Sequence, residues 1–410
     1  MGLGFALRAE SKSKGFLGLG KGKSPTVETV KQWFAEQPSV NPLVLAVDPS
    51  RTLFVGLVPY EEELTVQEAQ GQLVFSARTS TAGPGYHAYL CKLLRMLGTD
   101  LSLSWVTSEE SCDETGYWES GREDQLQFEM KEWLTAVAKM VVERWPEKLD
   151  GQISICMPTD KQFEAPGAIH MPMGIRDREW WTALATTGDG AEFWPWPDLA
   201  DTARNAVNQA VVQMWTDVRW RAPQTEAESR TLGSVNQLLE KARSLDPHIP
   251  VPVREWLEVM GLLNLAPSPD LIEEAKAQVG PLIGYYRHKV RFHPSKFWSI
   301  ELPGDVWITP DQGSTFEAQA ADLGVWVTTY LSKEPVTQVS QEPEGEKFEL
   351  GDSYLGGAAI AWSASSNSWI TTVIIARDRS LMTCTIQVVG EESKDLAIQI
   401  AQSIKYKGKS

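Results

Sequence analysis

Apolar residues recur along the chain in two rhythms, and the rhythm changes near residue 292. In Thr26–Gln37, Val27, Val30, Trp33 and Phe34 fall at helical spacing and predict a short amphipathic helix. Leu43–Val47, Leu53–Val58 and Gln72–Arg78 are short aliphatic runs that predict strands, the first two separated by the turn Asp48-Pro49-Ser50-Arg51. Gly83-Pro84-Gly85 predicts a non-helical turn, after which Tyr86–Leu97 regains helical spacing and stops at Gly98. Leu101–Val106 and Gln152–Met157 predict strands. Glu123–Arg144 predicts a long helix striped by Leu126, Met130, Trp133, Leu134, Val137 and Val141, and Leu199–Val218 a further one. Between them, Thr159–Pro197 is dense in Trp and Pro and predicts irregular chain.

Residues 224–287 read as three helices, Glu226–Ser244, Val253–Leu263 and Pro269–Gln278, with Pro or Gly at the joints. From Phe292 the pattern alternates: Lys296–Glu301, Asp305–Thr309, Val325–Leu331, Ala358–Trp362, Ser368–Ala376 and Leu381–Val389 predict strands, and Glu392–Ser403 a closing helix. The polar run Ser332–Asp352 interrupts them as a loop. The expected class is α+β, with antiparallel sheets packed against helices. A flexible lead-in over 1–24 precedes an N-terminal α+β domain over 25–222. A helical connector follows over 223–291, and a second α/β domain over 292–410.

Composition changes the picture in one respect. At 410 residues, 42% hydrophobic and 22% charged, the chain is an ordinary globular protein, but 54 Asp and Glu against 38 Lys and Arg give a net charge of −16. That charge repels nucleic acid and anionic membrane, so neither is an expected partner, whereas a basic protein is. The four cysteines, Cys91, Cys112, Cys156 and Cys384, are widely spaced and read as reduced thiols. With no signal-like or membrane-spanning segment, the expected location is the cytoplasm.

Most chemical motifs dissolve on inspection. Gly18–Ser24 imitates a phosphate-binding loop, but Leu17 stands where that spacing needs glycine. Asp270, Glu274 and Lys276 spell a nuclease signature inside one short helix, where they cannot converge from neighbouring strands. His87, at a helix start, reads as a packing or hydrogen-bonding residue ahead of a catalytic or metal role, and His170, His248, His288 and His293 have no ligand spacing with each other or with the cysteines. No catalytic residue, metal or cofactor is expected. The basic aromatic run Tyr285–His293 is expected to pair internally with acidic segments.

Two features remain. Of the 17 tryptophans most must be core, and Trp194 and Trp196 in Phe193-Trp194-Pro195-Trp196-Pro197 are the expected exposed exceptions. From Asp100 to Glu129 nine acids stand against one base, Arg122. A second acidic cluster comprises Glu342, Glu344, Glu346, Glu349 and Asp352. Asp113, Glu114, Tyr117, Trp118, Glu119, Glu123 and Asp124 combine carboxylates with aromatic anchors, the makings of a surface for a basic partner.

The C-terminal third resembles the PsbP/DcrB-like fold. Phe297–Trp307 is similar to its opening strand and Pro-Gly turn, Trp369–Ala376 and Leu381–Ile386 to its late strands, and Asp395–Ile404 to its closing helix. The resemblance implies a binding scaffold without catalytic residues, one also used by adaptors of bacterial type VI secretion effectors. The whole chain, through its acidity and the segment Thr81–Glu132 with Gly83-Pro84-Gly85-Tyr86-His87 and Thr115-Gly116-Tyr117-Trp118, resembles large cytoplasmic immunity proteins that neutralise type VI toxins. That resemblance implies stoichiometric occlusion of a toxin, a nuclease being the expectation, with homodimerisation possible. Two other readings are a secretion adaptor or chaperone, and a hydrolase with carboxylates in a Trp-rich cleft.

Overall fold

The computed structural model describes residues 2–11, 26–37, 40, 44–58, 63–106, 112–145, 154–155, 167–309 and 315–407. These form an α+β protein of two compact units. The first falls within Met1–Met157, Glu164–Val218 and Ala222–Ile283; the second includes Arg219–Arg221 and Gly284–Ser410.

The first unit is built on an antiparallel sheet. Its strands are β1 (Gly4–Ser11), β2 (Val44–Val47), β3 (Leu53–Gly56), β4 (Leu64–Ala69), β5 (Gln72–Arg78), β6 (Leu103–Val106) and β7 (Cys112–Asp113). They run in the order β2-β3-β4-β5-β1-β6, with β7 pairing the opening residues of β1. The expected flexible lead-in is therefore wrong for Gly4–Ser11. Phe5, Leu7 and Ala9 alternate with polar or small residues, and all three are buried, so the strand sits inside the sheet. Residues 12–24, including the loop-like Gly18–Ser24, lie outside the described residues. β4 and β5 turn on Gln70-Gly71, both at positive φ, the conformation a two-residue hairpin needs.

Helices α1 (Val27–Glu36) and α2 (Pro84–Asp100) cover one face of this sheet. Val30, Phe34, Tyr86, Leu90, Leu94 and Leu97 bury against Leu53, Val66 and Phe75. The Gly-Pro-Gly segment is not a separate turn. Pro84 and Gly85 open α2, because proline loses nothing at a first helical position whose N–H is orphaned anyway.

A second layer packs on the other side of α2. The one-turn α3 (Tyr117–Ser120) leads into α4 (Glu123–Glu143), whose Leu126, Met130, Leu134 and Ala138 are buried. Ala88 of α2 joins that cluster, with Trp181, Phe193 and Trp194. The span expected to be irregular holds a hairpin, β8 (Ala168–Met171) with β9 (Gly174–Asp177), and α5 (Arg178–Thr187), capped by the Asp177 carboxylate on Trp180 N at 2.9 Å. Of the expected strand Gln152–Met157 only Ser154 and Ile155 are described; Ser154 forms an isolated bridge with His170.

α6 (Ala203–Thr216) packs on α7 (Glu226–Leu245) through Ala203, Ala206 and Ala242. α8 (Val253–Leu262) joins α7 where Trp256 Nε1 donates to Asn236 Oδ1 at 2.8 Å, and α9 (Pro269–Ala277) follows. These helices, expected as a separate connector, belong to the first unit as far as Ile283.

The second unit contains β10 (Lys289–Phe292), β11 (Trp298–Pro303), β12 (Trp307–Ile308), β13 (Thr315–Gln319), β14 (Leu323–Leu331), β15 (Glu346–Phe348), β16 (Leu355–Ser363), β17 (Ser368–Arg377), β18 (Ser380–Val389), α10 (Lys394–Gln402) and β19 (Lys405–Tyr406). Its main sheet runs β12-β13-β14-β18-β17-β16-β15, and β10-β11-β19 form a small one. Val325, Val373, Ile375, Cys384 and Ile386 on one face of the main sheet pack with Trp298 of β11 and with Ile400 and Ala401 of α10. On the opposite face, register aligns Tyr330, Leu381, Ala376 and Leu355 in one row across four strands; the two ends of the row are exposed.

Candidate functional site

Chemistry-bearing side chains of the first unit gather at the start of α2. Gly83, at φ 110°, turns the chain into the helix, and a Cβ on Gly85 would collide with the Asp198 carbonyl oxygen. The Trp194–Asp198 segment lies against this turn: Gly85 N donates to Trp196 O at 3.1 Å and Trp196 N to Ala82 O at 2.9 Å. One residue into the first turn beyond Tyr86, His87 points inward and is fully buried.

His87 Nδ1 lies 2.7 Å from Thr79 Oγ1, just past β5, and its Nε2 lies 3.0 Å from Asp113 Oδ2 on β7. The Asp113 carboxylate also accepts from Thr115 N and Thr115 Oγ1, both at 2.8 Å, and from Trp118 N at 2.7 Å. Burial pushes the Asp113 carboxyl up, but the His87 hydrogen bond and charge interaction and the two backbone N–H groups outweigh it, leaving it below the ordinary carboxylate value. Cys91 sits one helical turn after His87 and is buried; burial first, and then the Asp113 charge, push its thiol up. His87, Cys91 and Asp113 each bring a ligand-type atom within 4.8 Å of the other two. This cage ties together β5, α2, β7 and α3.

Asp113, expected on the partner-binding surface, is thus withdrawn from it: its side chain has no solvent exposure. The rest of the acidic stretch divides. Glu114 is exposed and holds Gly4 N at 2.7 Å. Tyr117 and Trp118 are half-buried; Trp118 lies edge-on to Trp105 at 4.9 Å with the Arg95 guanidinium 5.0 Å over its ring. Glu119, Glu123 and Asp124 are exposed at the entry to α4, and Asp124 pairs with Arg122 at 2.6 Å. Glu109 and Glu110 lie outside the described residues.

The tryptophan expectation fails for Trp194, which is 6% exposed and donates Nε1 to Ser80 O at 2.8 Å. Its ring fills the space beside Gly83 and Gly190, which is why the prolines around it do not expose it. Trp196 is half-buried and stacks on Tyr89 at 5.0 Å. Trp181 and Trp194 lie in the core, and Trp194 also borders a pocket lined by Asp189, Asp198 and Arg204.

One surface residue escaped sequence reasoning. Phe128 on α4 is 59% exposed, one turn after Asp124. Its signal was present as an apolar residue out of phase with the Leu126, Met130, Leu134 stripe. The nuclease-like letters are spent on surface pairs, Glu274 with Arg243 and Lys276 with Glu273. The basic run of 285–293 pairs inside its own unit, Arg291 with Glu301 and the Arg287 guanidinium 3.6 Å over Trp220. In the second acidic cluster, Glu342 pairs with Lys347 and Glu346 with Lys394.

No family model matches the chain, and no curated protein matches it. A solved structure from Bacteroides thetaiotaomicron VPI-5482 is similar over 27% of this chain and 46% of its own, at 11% identity and a TM-score of 0.22. The match spans less than half of that protein, and a likeness at that level assigns neither fold nor function. Among the described residues, no helix is long and apolar enough to cross a membrane.

Proposed function

We propose that the protein is a cytoplasmic immunity protein, a stoichiometric binder that occludes a basic toxin through the entry of α4. The observation that carries this reading is the exposure of Glu119, Glu123 and Asp124 at the entry of α4, with the exposed Phe128 one helical turn after Asp124. Carboxylates steer a basic partner and set its sign, while an aromatic ring supplies the desolvated anchor. The described groups best suited to chemistry, His87, Cys91 and Asp113, are buried away from any substrate, which favours binding over catalysis. A nuclease is the expected toxin because its substrate face must be basic to hold a polyanion.

The test is affinity capture from the producing cells with the wild-type chain and with an E119A/E123A/D124A/F128S variant. A basic protein held by the wild type and lost by the variant, whose toxicity on expression is suppressed by the wild-type chain alone, is the expected result. A partner held equally by both removes this surface from the reading.

A second reading, a type VI secretion adaptor, is favoured by the exposed Tyr330 and Leu355 at the two ends of the apolar row in the second unit. It predicts capture of an effector's amphipathic segment, lost on Y330S/L355S and unaffected by changes in α4.

A further inference from the structure

We propose that His87, Cys91 and Asp113 form a closed structural site for a divalent metal ion of zinc type, coordinated by His87 Nε2, Cys91 Sγ and Asp113 Oδ2. One ligand-type atom of each residue lies within 4.8 Å of the other two, His87 Nε2 and Asp113 Oδ2 being 3.0 Å apart, and all three residues are buried. His87 and Cys91 are one helical turn apart on α2, so a rigid backbone holds two donors on the same face. Asp113 arrives from β7, which β1 pins by backbone pairing.

The donor set is nitrogen, sulfur and oxygen, the combination zinc selects. Two light-atom donors each about 2.0–2.2 Å from a tetrahedral zinc stand roughly 3.3–3.5 Å apart. His87 Nε2 and Asp113 Oδ2 at 3.0 Å need only a few tenths of an ångström of opening. Thr115 Oγ1, 3.2 Å from Nε2, is placed to complete the set. The outer contacts are those a metal-bound imidazole requires. Nδ1 lies 2.7 Å from Thr79 Oγ1; with an ion on Nε2 the ring proton moves to Nδ1, where the Thr79 hydroxyl can accept it and fix the ring. Asp113 Oδ1 is held by Thr115 N and Thr115 Oγ1 at 2.8 Å, and Oδ2, which accepts from Trp118 N at 2.7 Å, keeps a second lone pair on the side of His87 Nε2 for the ion.

Charge closes the argument. With the thiol proton released to solvent, a dication with one thiolate, one carboxylate and a neutral imidazole is a neutral group, which a buried site tolerates where an isolated ion would not. Without metal the same atoms share protons instead, Nε2–H donating to the carboxylate. The cage is therefore a place where a metal ion replaces protons, and its consequence is a staple between α2 and β7.

Because the site is closed, metal is supplied in two ways: zinc during expression, and cobalt during refolding of the full chain from denaturant. The expected results are one equivalent of zinc retained through gel filtration, and the visible bands of tetrahedral cobalt with thiolate-to-cobalt charge transfer. C91S should lose the charge transfer, while C112S, altered at an exposed cysteine, should keep it. Metal-loaded protein should melt higher than chelator-treated protein. Less than stoichiometric metal by both routes, or charge transfer that persists in C91S, overturns the assignment. These readouts need no partner, so their failure leaves the binding reading standing, and the reverse holds.

Discussion

Asp113 and Asp124 stand eleven positions apart in one acidic stretch, and both have carboxyls below the ordinary value, yet they belong to opposite regimes. Asp113 is held down against the opposing effect of burial by His87 and by N–H donors that cannot move away. Asp124 is held down first by the side-chain hydrogen bond of Arg122, in full solvent, where water competes for both partners. The same direction of shift marks a structural keystone in one place and an ordinary surface pair in the other. Burial, not acidity, separates what holds this protein together from what it can offer to a partner.

The largest way to break that contrast is Asp113→Ala. It removes the carboxylate and strands His87 Nε2, Thr115 N and Trp118 N inside, so a loss of about 3–5 kcal/mol is expected from urea unfolding. Thr115→Val keeps the shape but deletes a donor to the carboxylate and should cost about 1.5–3 kcal/mol by the same measurement.

Acid sharpens the comparison. A carboxyl whose folded value is depressed contributes stability that is complete above its unfolded value, about 4, and that fades as pH falls through the folded value. The stability gap between wild type and Asp113→Asn should therefore be widest near neutrality and narrow on acidification below about pH 4. A gap constant from pH 7 to pH 2.5 would mean that the cage does not hold the charged form.

At the small end, E119A/E123A/D124A should leave the unfolding midpoint where it is, since all three side chains already face water. Its effect should appear only in association with a basic partner, as a slower on-rate with weaker salt dependence. A large drop in the midpoint would place these acids in the fold instead of on the interaction surface.

Much of the architecture was legible from periodicity. The helix over Glu123–Arg144 and the strands over Ser368–Ala376 and Leu381–Val389 appear where the apolar spacing puts them, because each buries one face and exposes the other. β1 was masked by its neighbours: the Gly, Lys and Ser of 12–24 dominate the local composition, while Phe5, Leu7 and Ala9 alternate beneath it. α5 was hidden by Trp and Pro density, although Asp177 is an ordinary cap and Trp181 and Leu184 an ordinary buried pair.

The site was less legible still. His87 was readable as a helix-start residue, but its partners Thr79, Asp113 and Thr115 come from three other places in the chain, and no spacing announces their meeting. Counting acids gave Asp113 and Asp124 the same weight, because composition carries no information about which carboxylate turns inward.

The placement of β1 has a consequence for how the chain folds as it is made. Gly4–Ser11 precedes the other strands of its sheet, yet its neighbour β5 begins only at Gln72, and the opposite side waits for β6 and β7. An unpaired strand with Phe5, Leu7 and Ala9 on one side must stay soluble while that intervening stretch is synthesised, and closing so long a loop slows the search. Once β1 docks, both halves of the sheet and the turn bearing Asp113 close on it together. β1 is the strand through which the two halves of the sheet and the turn bearing Asp113 are joined.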